Sequence, residues 1–112
     1  MLLLTVDVCV CAAKPRAKGM HRSVNLVEGD ELKLTCEPWG WPVPTVEWKR
    51  ESGPLNFSDP RILVSADNNS LTIESVELDD RDHYLCMLTS HINETMVLEG
   101  NKTTLVRVKG AF

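Results

Sequence analysis

Two cysteines separated by fifty positions, Cys36 and Cys86, constrain the fold of this chain more than any other feature. Trp48 lies between them, and Tyr84 stands two residues before the second cysteine. This order and spacing are typical of a sandwich in which each sheet carries one cysteine and the indole packs between the sheets. The pattern therefore predicts an all-β domain of two antiparallel sheets.

The segments around these residues alternate between apolar and polar side chains, which indicates strands with one buried side. Predicted strands cover residues 31–36, 45–49, 61–64, 70–73, 83–88 and 104–109. Residues 40–44 are predicted to be a loop, because their prolines lack the amide hydrogen that a central strand needs. Residues 66–69 are predicted to close a hairpin, and the acidic residues 74–81 are predicted to cross between the sheets.

The charge balance of the chain bears on the class of partner. Its 112 residues carry a net charge of −4, which argues against a nucleic-acid or heparin surface, since such a surface needs clustered lysine and arginine. The densest basic stretch, residues 14–22, contains proline and glycine, and we favour a solvated linker over a binding patch there.

Acceptor sequences for N-linked glycans, Asn-x-Ser/Thr, occur four times with no proline at the middle position. Average residue usage gives roughly one such sequence or fewer in a chain of this size. A cytosolic protein gains nothing from such a run, whereas a secreted or cell-surface protein gains bulky, solubilising glycans. We therefore predict an extracellular location and glycosylation at Asn56, Asn68, Asn93 and Asn101.

The amino-terminal residues 1–13 have two interpretations, a short signal peptide or the final strand of a preceding domain. The run lacks a basic start and contains Asp7, so we favour the strand, followed by a linker. Cys9 and Cys11 would point to the same side of that strand, which is poor geometry for bridging each other, and we assign them no role. The predicted boundaries are 1–20 for this segment and linker, 21–110 for the domain, and 111–112 for a carboxy-terminal stub.

Three stretches resemble the intermediate set (I-set) of immunoglobulin domains and together cover residues 26–108. Residues 26–36 are similar to the opening of such domains, residues 40–48 to their G-x-P-x-P-x-V-x-W signature, and residues 80–86 to their D-x-G/A-x-Y-x-C signature. Asp82 departs from the last pattern, because a small residue is usual there. The resemblance implies an immunoglobulin-like sandwich of Greek-key topology.

The same resemblance implies structural roles for particular side chains. It pairs Cys36 with Cys86 in a disulfide across the core, with Trp48 packed on the bridge. Such a bridge would stabilise the fold by about 4 kcal/mol. It also implies two contacts near the second cysteine: the Tyr84 hydroxyl holding its corner, and an ion pair between Arg61 and Asp80.

Shorter stretches resemble the membrane-proximal domain of the basigin, neuroplastin and embigin group. They comprise residues 21–25, 40–42 and 106–109. This finer resemblance implies a parent protein that is anchored in a membrane and carries another domain before this one.

Nothing in the sequence resembles a catalytic or cofactor-binding motif. His21, His83 and His91 are dispersed, with His91 expected in a loop, and no nucleophile elbow, metal motif, calcium loop or glycine-rich phosphate loop occurs. We therefore predict that the chain is not an enzyme and that it uses no metal and no cofactor.

Binding is the remaining class of function, and two sets of residues are candidates for it. Alternation places Leu85, Met87 and Leu105 on the outer side of the second sheet, where they form either an apolar contact patch or scattered apolar residues on an exposed or covered face. Trp39 and Trp41 are predicted to lie in the proline-rich loop, where they either anchor a ligand or cap the core or contact a neighbouring domain.

We predict an extracellular module of a cell-surface glycoprotein that mediates adhesion or acts in receptor or co-receptor recognition. Its partner is expected to be a protein, either a like chain or another cell-surface protein, and not a nucleic acid. Two alternatives stay open: the ligand-binding domain of a growth-factor or guidance receptor, and a structural module of an intracellular muscle-type array.

Overall fold

The computed structural model describes residues 13–111 and builds nine strands from them. The strands are β1 Ala13–Lys18, β2 Ser23–Val27, β3 Leu32–Thr35, β4 Glu37–Trp41, β5 Thr45–Arg50, β6 Ile62–Val64, β7 Ser70–Ile73, β8 Asp82–His91 and β9 Val97–Lys109. The described residues contain one short 3-10 turn, Leu78–Asp80, and no helix long and apolar enough to cross a bilayer. The predicted all-β class is confirmed.

Two sheets pack face to face around the core. One sheet has the strand order β2-β9-β8-β5 and the other β3-β7-β6, and β2 runs parallel to β9 while the other pairs are antiparallel. Alternate residues of each sheet point inward, as the sequence pattern predicts. The fully buried side chains include Leu32, Leu71, Ile73, Tyr84, Leu88 and Val106.

The hairpin and the crossover are confirmed. β6 and β7 pair antiparallel, and Asn68 in the turn between them has a φ of 64°, a left-handed conformation that asparagine tolerates. Residues 74–81 lead from β7 to β8 and contain the 3-10 turn, so they connect the two sheets. His91 ends β8, so the prediction of a loop at this residue is wrong.

The predicted loop over residues 40–44 is wrong in its first half. β4 continues directly after β3, interrupted only at Cys36, and includes both Trp39 and Trp41. The prolines that follow, Pro42 and Pro44, do end the strand, in keeping with their missing donors.

The linker predicted over residues 14–20 is also wrong. β1 pairs antiparallel with β4 in a two-stranded ribbon, and Pro15 and Met20 are buried. The domain therefore begins at least as early as Ala13. Prediction missed this strand because its partner lies more than twenty residues away, and only tertiary pairing brings the two together. Cys9, Cys11 and the two interpretations of residues 1–12 lie outside the described residues.

Candidate protein-binding surfaces

A disulfide joins the two sheets at their centre. Cys36 and Cys86 form the bond, with their Cα atoms 6.4 Å apart and both side chains fully buried. Trp48 lies opposite Cys86 in the β5–β8 pairing, and only 4% of its surface is exposed. Its Nε1 donates a hydrogen bond of 2.7 Å to the carbonyl of Asn68, in the β6–β7 turn of the opposite sheet. The bond and the indole therefore fix both sheets in one relative position.

The Tyr84 side chain closes the corner where the chain enters β8. Its hydroxyl donates a 2.6 Å hydrogen bond to the carbonyl oxygen of Asp80, inside the core. Burial raises the pKa of Tyr84 to about 12, because the phenolate would lose its hydration there.

Arg61 ties the hairpin to the crossover. Its guanidinium lies 3.0 Å from the Asp80 carboxylate and 2.9 Å from that of Asp59, and it donates a 2.6 Å hydrogen bond to the carbonyl of Ser75. The hydrogen bonds to Asp80 and then to Asp59 raise the pKa of Arg61, so it stays charged. The same Asp80 carboxylate accepts a 2.7 Å hydrogen bond from the backbone of Glu77. This network holds the start of β6 against the crossover between β7 and β8.

Asp82, which departs from the family pattern, has partners of its own. Its carboxylate accepts hydrogen bonds from the Arg50 guanidinium at 3.2 Å, from the Ser52 backbone and hydroxyl, and from the backbone of His83. Burial raises the pKa of Asp82, but the bonds from Ser52, His83 and Arg50 outweigh it and lower the pKa overall. The side chains of Glu51, Asp82 and His83 offer ligand atoms within 4.8 Å of one another, a spacing that a shared cation could use. Because Asp82 already accepts hydrogen bonds from Arg50, Ser52 and His83, we interpret this cluster as a hydrogen-bonded network.

Three apolar side chains form a row on the outer side of the four-stranded sheet. Leu85 and Met87 are alternate residues of β8, and Leu105 of β9 lies diagonally beside Leu85, because His83 is its direct partner. All three are half-buried. We call this row the β8–β9 face. Charged and polar side chains border it, namely Glu47 and Lys49 from β5 and Asn101 and Thr103 from β9.

Trp39 and Trp41 lie on the outer side of β4 and are 48% and 57% exposed. Their indoles therefore do not cap the core of the described domain. The predicted loop position of both residues is wrong, while their role as ligand anchors stays a prediction.

The four asparagines of the glycan acceptor sequences are all exposed. Asn56 and Asn68 lie in the connections around β6, and Asn93 lies in the turn between β8 and β9. Asn101 lies within β9, directly opposite Met87. A glycan on Asn101 would therefore emerge at the border of the β8–β9 face.

Sequence reasoning assigned Lys14, Arg16 and Lys18 to a solvated linker, whereas the structure places them exposed on β1. The available signal was their alternation with Pro15 and Ala17, which point inward and are buried or half-buried. The proline within the run obscured that signal, because it lowers the expectation of a strand.

The immunoglobulin I-set domain model matches residues 15–98. The chain is 36% identical over 74 residues to mouse Roundabout homolog 4 and 33% identical over 72 residues to mouse neural cell adhesion molecule L1. These alignments cover 65% and 64% of this chain but only 7% and 6% of the relatives, so the chain spans a small part of their length. A chimeric titin Z1Z2 structure shares the fold at 24% identity with a TM-score of 0.72, covering 88% of this chain and 97% of that one.

Proposed function

Because the chain belongs to the immunoglobulin I-set domain family, we propose that it is an extracellular recognition module of a cell-surface glycoprotein. The observation that carries this proposal is the exposure of all four acceptor asparagines on a disulfide-bonded sandwich. Disulfides persist in oxidising compartments, and glycans require surface asparagines in the secretory pathway. The module would act in adhesion or receptor recognition by binding another protein, without a catalytic step or a cofactor.

The relatives support the adhesion part of the proposal. The similarity to neural cell adhesion molecule L1, whose name states that role, covers 64% of this chain. The alternative of a module in an intracellular muscle-type array is supported by the fold shared with titin.

Expression in secretory cells separates these alternatives. We expect the secreted chain to lose mass when N-glycosidase is added, and its denatured, unreduced form to resist alkylation at Cys36 and Cys86. A chain of unmodified mass with both thiols labelled would instead support the intracellular alternative.

The β8–β9 face is the part of the surface that we assign to protein recognition. Its apolar row with a charged and polar border has the composition of a small protein interface, in which apolar contacts lie inside a polar rim. The row is continuous across two strands, which distinguishes it from single exposed apolar residues.

Replacement of Leu85 by aspartate tests this assignment. Leu85→Asp should abolish self-association or receptor binding in sedimentation and surface-binding measurements, because it places a charge in the centre of the row. Leu63→Asp is the matched control, since Leu63 is exposed on β6 in the other sheet. Thermal unfolding of both variants checks that the fold survives. Association that is unchanged in Leu85→Asp, or equally lost in both, contradicts the assignment.

The acceptor at Asn101 provides a second test of the same face. A glycan there would hinder large partners from reaching Met87, so Asn101→Gln should strengthen association relative to the glycosylated chain. Asn56→Gln removes an acceptor in a different region and should change nothing. If the two variants change association equally, the glycan at Asn101 does not act by covering the β8–β9 face.

Two finer identities remain proposals within this class. The basigin, neuroplastin and embigin group is supported by the short stretches at residues 21–25, 40–42 and 106–109, and a guidance-type receptor is supported by the similarity to Roundabout homolog 4. The parent transcript distinguishes them. A transmembrane segment directly after this domain supports the first, and further extracellular domains after it support the second.

A further inference from the structure

The outer side of the β1–β4 ribbon concentrates positive charge. Lys14, Arg16 and Lys18 are all exposed on β1, while Pro15 and Ala17 point to the interior. A strand rises about 3.3 Å per residue, so the three cations span a line of roughly 13 Å, whose Lys14 end falls where the β1–β4 register shifts. Within residues 13–111, no carboxylate lies within 4.0 Å of any of them. Glu37 is the direct partner of Lys18 and is exposed on the same side of the ribbon. The line therefore carries three cations and one neighbouring carboxylate, so its charge stays positive although the chain as a whole is acidic.

Two indoles lie beside the cations on the same side of the ribbon. Arg16 is the direct partner of Trp39, and directly paired residues of an antiparallel ribbon point to the same side. Trp41 shares that side because it follows Trp39 by two residues and is also exposed. The ammonium of Lys18 lies 4.0 Å from the centre of the Trp39 ring, a cation–π contact that holds the lysine on the surface of the ribbon. We call these five side chains the ribbon face.

The ribbon face points away from the β8–β9 face. β1 packs on the inward side of β9, where a methyl group at Gly100 would collide with the backbone of Pro15. The opposite side of the ribbon therefore faces solvent, on the far side of the sandwich. No acceptor asparagine lies in β1 or β4, so predicted glycans leave this side open.

We propose that the ribbon face binds a linear, sulfated polysaccharide. The guanidinium of Arg16 presents paired donors that suit a sulfate oxygen pair, and the lysines on either side continue the positive line along a chain. The indoles supply flat apolar platforms next to that line, suited to the faces of sugar rings. The ribbon side chains follow the length of β1 and its partner strand, which suits an extended polymer. This site is separate from the protein-binding face and does not depend on it.

Neutralisation of the three cations tests the electrostatic part. The probe is a labelled heparin oligosaccharide, titrated into the glycosylated chain at two salt concentrations. Lys14→Gln, Arg16→Gln and Lys18→Gln combined should weaken binding roughly tenfold, with a shallower salt dependence. The matched control combines Arg81→Gln, Arg107→Gln and Lys109→Gln, which are exposed elsewhere and remove the same charge. It should bind within about twofold of the unchanged protein.

Replacement of the indoles tests the stacking part. Trp39→Ala with Trp41→Ala should weaken binding at least about fivefold and leave the salt dependence unchanged. Phe57→Ala is the control, because Phe57 is an exposed aromatic residue outside the ribbon. Near-ultraviolet circular dichroism from the buried Trp48 verifies the fold of each variant.

The following results would overturn the proposal. They are no binding of heparin by the unchanged chain, equal losses in the two triple variants, equal binding of a desulfated oligosaccharide of the same length, and equal losses in the tryptophan and Phe57 variants. Tighter binding of a poly-glutamate peptide than of heparin would also overturn it, by assigning the ribbon face to acidic peptides.

Discussion

The β8–β9 face and the ribbon face lie on opposite sides of one sandwich and differ in chemistry. The first is apolar and half-buried, and a predicted glycan site borders it. The second is basic and aromatic, is exposed, and has no such site within its strands. One small domain thus presents two surfaces suited to different partners, a protein and a polyanion. The net charge of −4 therefore predicts the character of neither surface, because it averages over the whole chain.

The two faces nevertheless depend on a common support. Cys86 lies between Leu85 and Met87 in β8, and Cys36 immediately precedes β4, which carries the tryptophans. The disulfide therefore connects the strand behind one face to the strand behind the other. Substitutions can therefore be chosen to weaken binding through both faces, through one face, or through neither.

Removal of the disulfide should have the largest effect and abolish both faces. Cys36→Ala with Cys86→Ala is expected to lower the free energy of unfolding by about 4 kcal/mol, because the bond closes a long loop in the unfolded chain. Denaturant titration measures the loss, and self-association and heparin binding should fall together. A variant that keeps either activity in full would show that its face does not need the joined sheets.

Disturbance of the contact beneath the ribbon should affect one face only. Gly100→Ala places a methyl group against the backbone of Pro15, so β1 must shift, at a cost of about 1–3 kcal/mol. Heparin binding should weaken and amide exchange in β1 should speed up, while association through Leu85 persists. Gly110→Ala is the control, because a methyl group there meets no atom within 4 Å. If Gly100→Ala and Gly110→Ala change heparin binding and amide exchange in β1 equally, the contact between Gly100 and Pro15 does not support the ribbon face.

Loss of the Asp82 charge should have the smallest effect and spare both faces. The lowered pKa of this carboxylate means that it stabilises the fold above about pH 4 and that this contribution disappears as the pH falls through the folded-state pKa. Asp82→Asn should therefore reduce stability by about 1 kcal/mol at pH 7. The difference from the unchanged protein should vanish in strong acid, as measured by denaturant titration across pH. A difference independent of pH would exclude the charge as its cause.

The two faces also differ in how far the sequence predicts them. The β8–β9 face follows from alternation within β8 and β9, which one short turn joins, so the sequence alone predicts Leu85, Met87 and Leu105 on the outer side of their sheet. The ribbon face depends on pairing of β1 with a strand more than twenty residues later, and proline in both segments hides the alternation. Asp82 shows the same limit, because its partners Arg50 and Ser52 come from the end of β5 and the turn after it, about thirty residues earlier in the chain.

Sequence by itself determined the sandwich, the pair of half-cystines around Trp48, and the inward and outward sides of the hairpin strands, because spacing and two-residue periodicity are local properties of the chain. Tertiary structure alone decided that residues 13–18 form a strand of this domain and that their cations meet two indoles on one side. The physical reason is that hydrogen bonding between remote strands selects neighbours across the fold, and no local pattern encodes that choice.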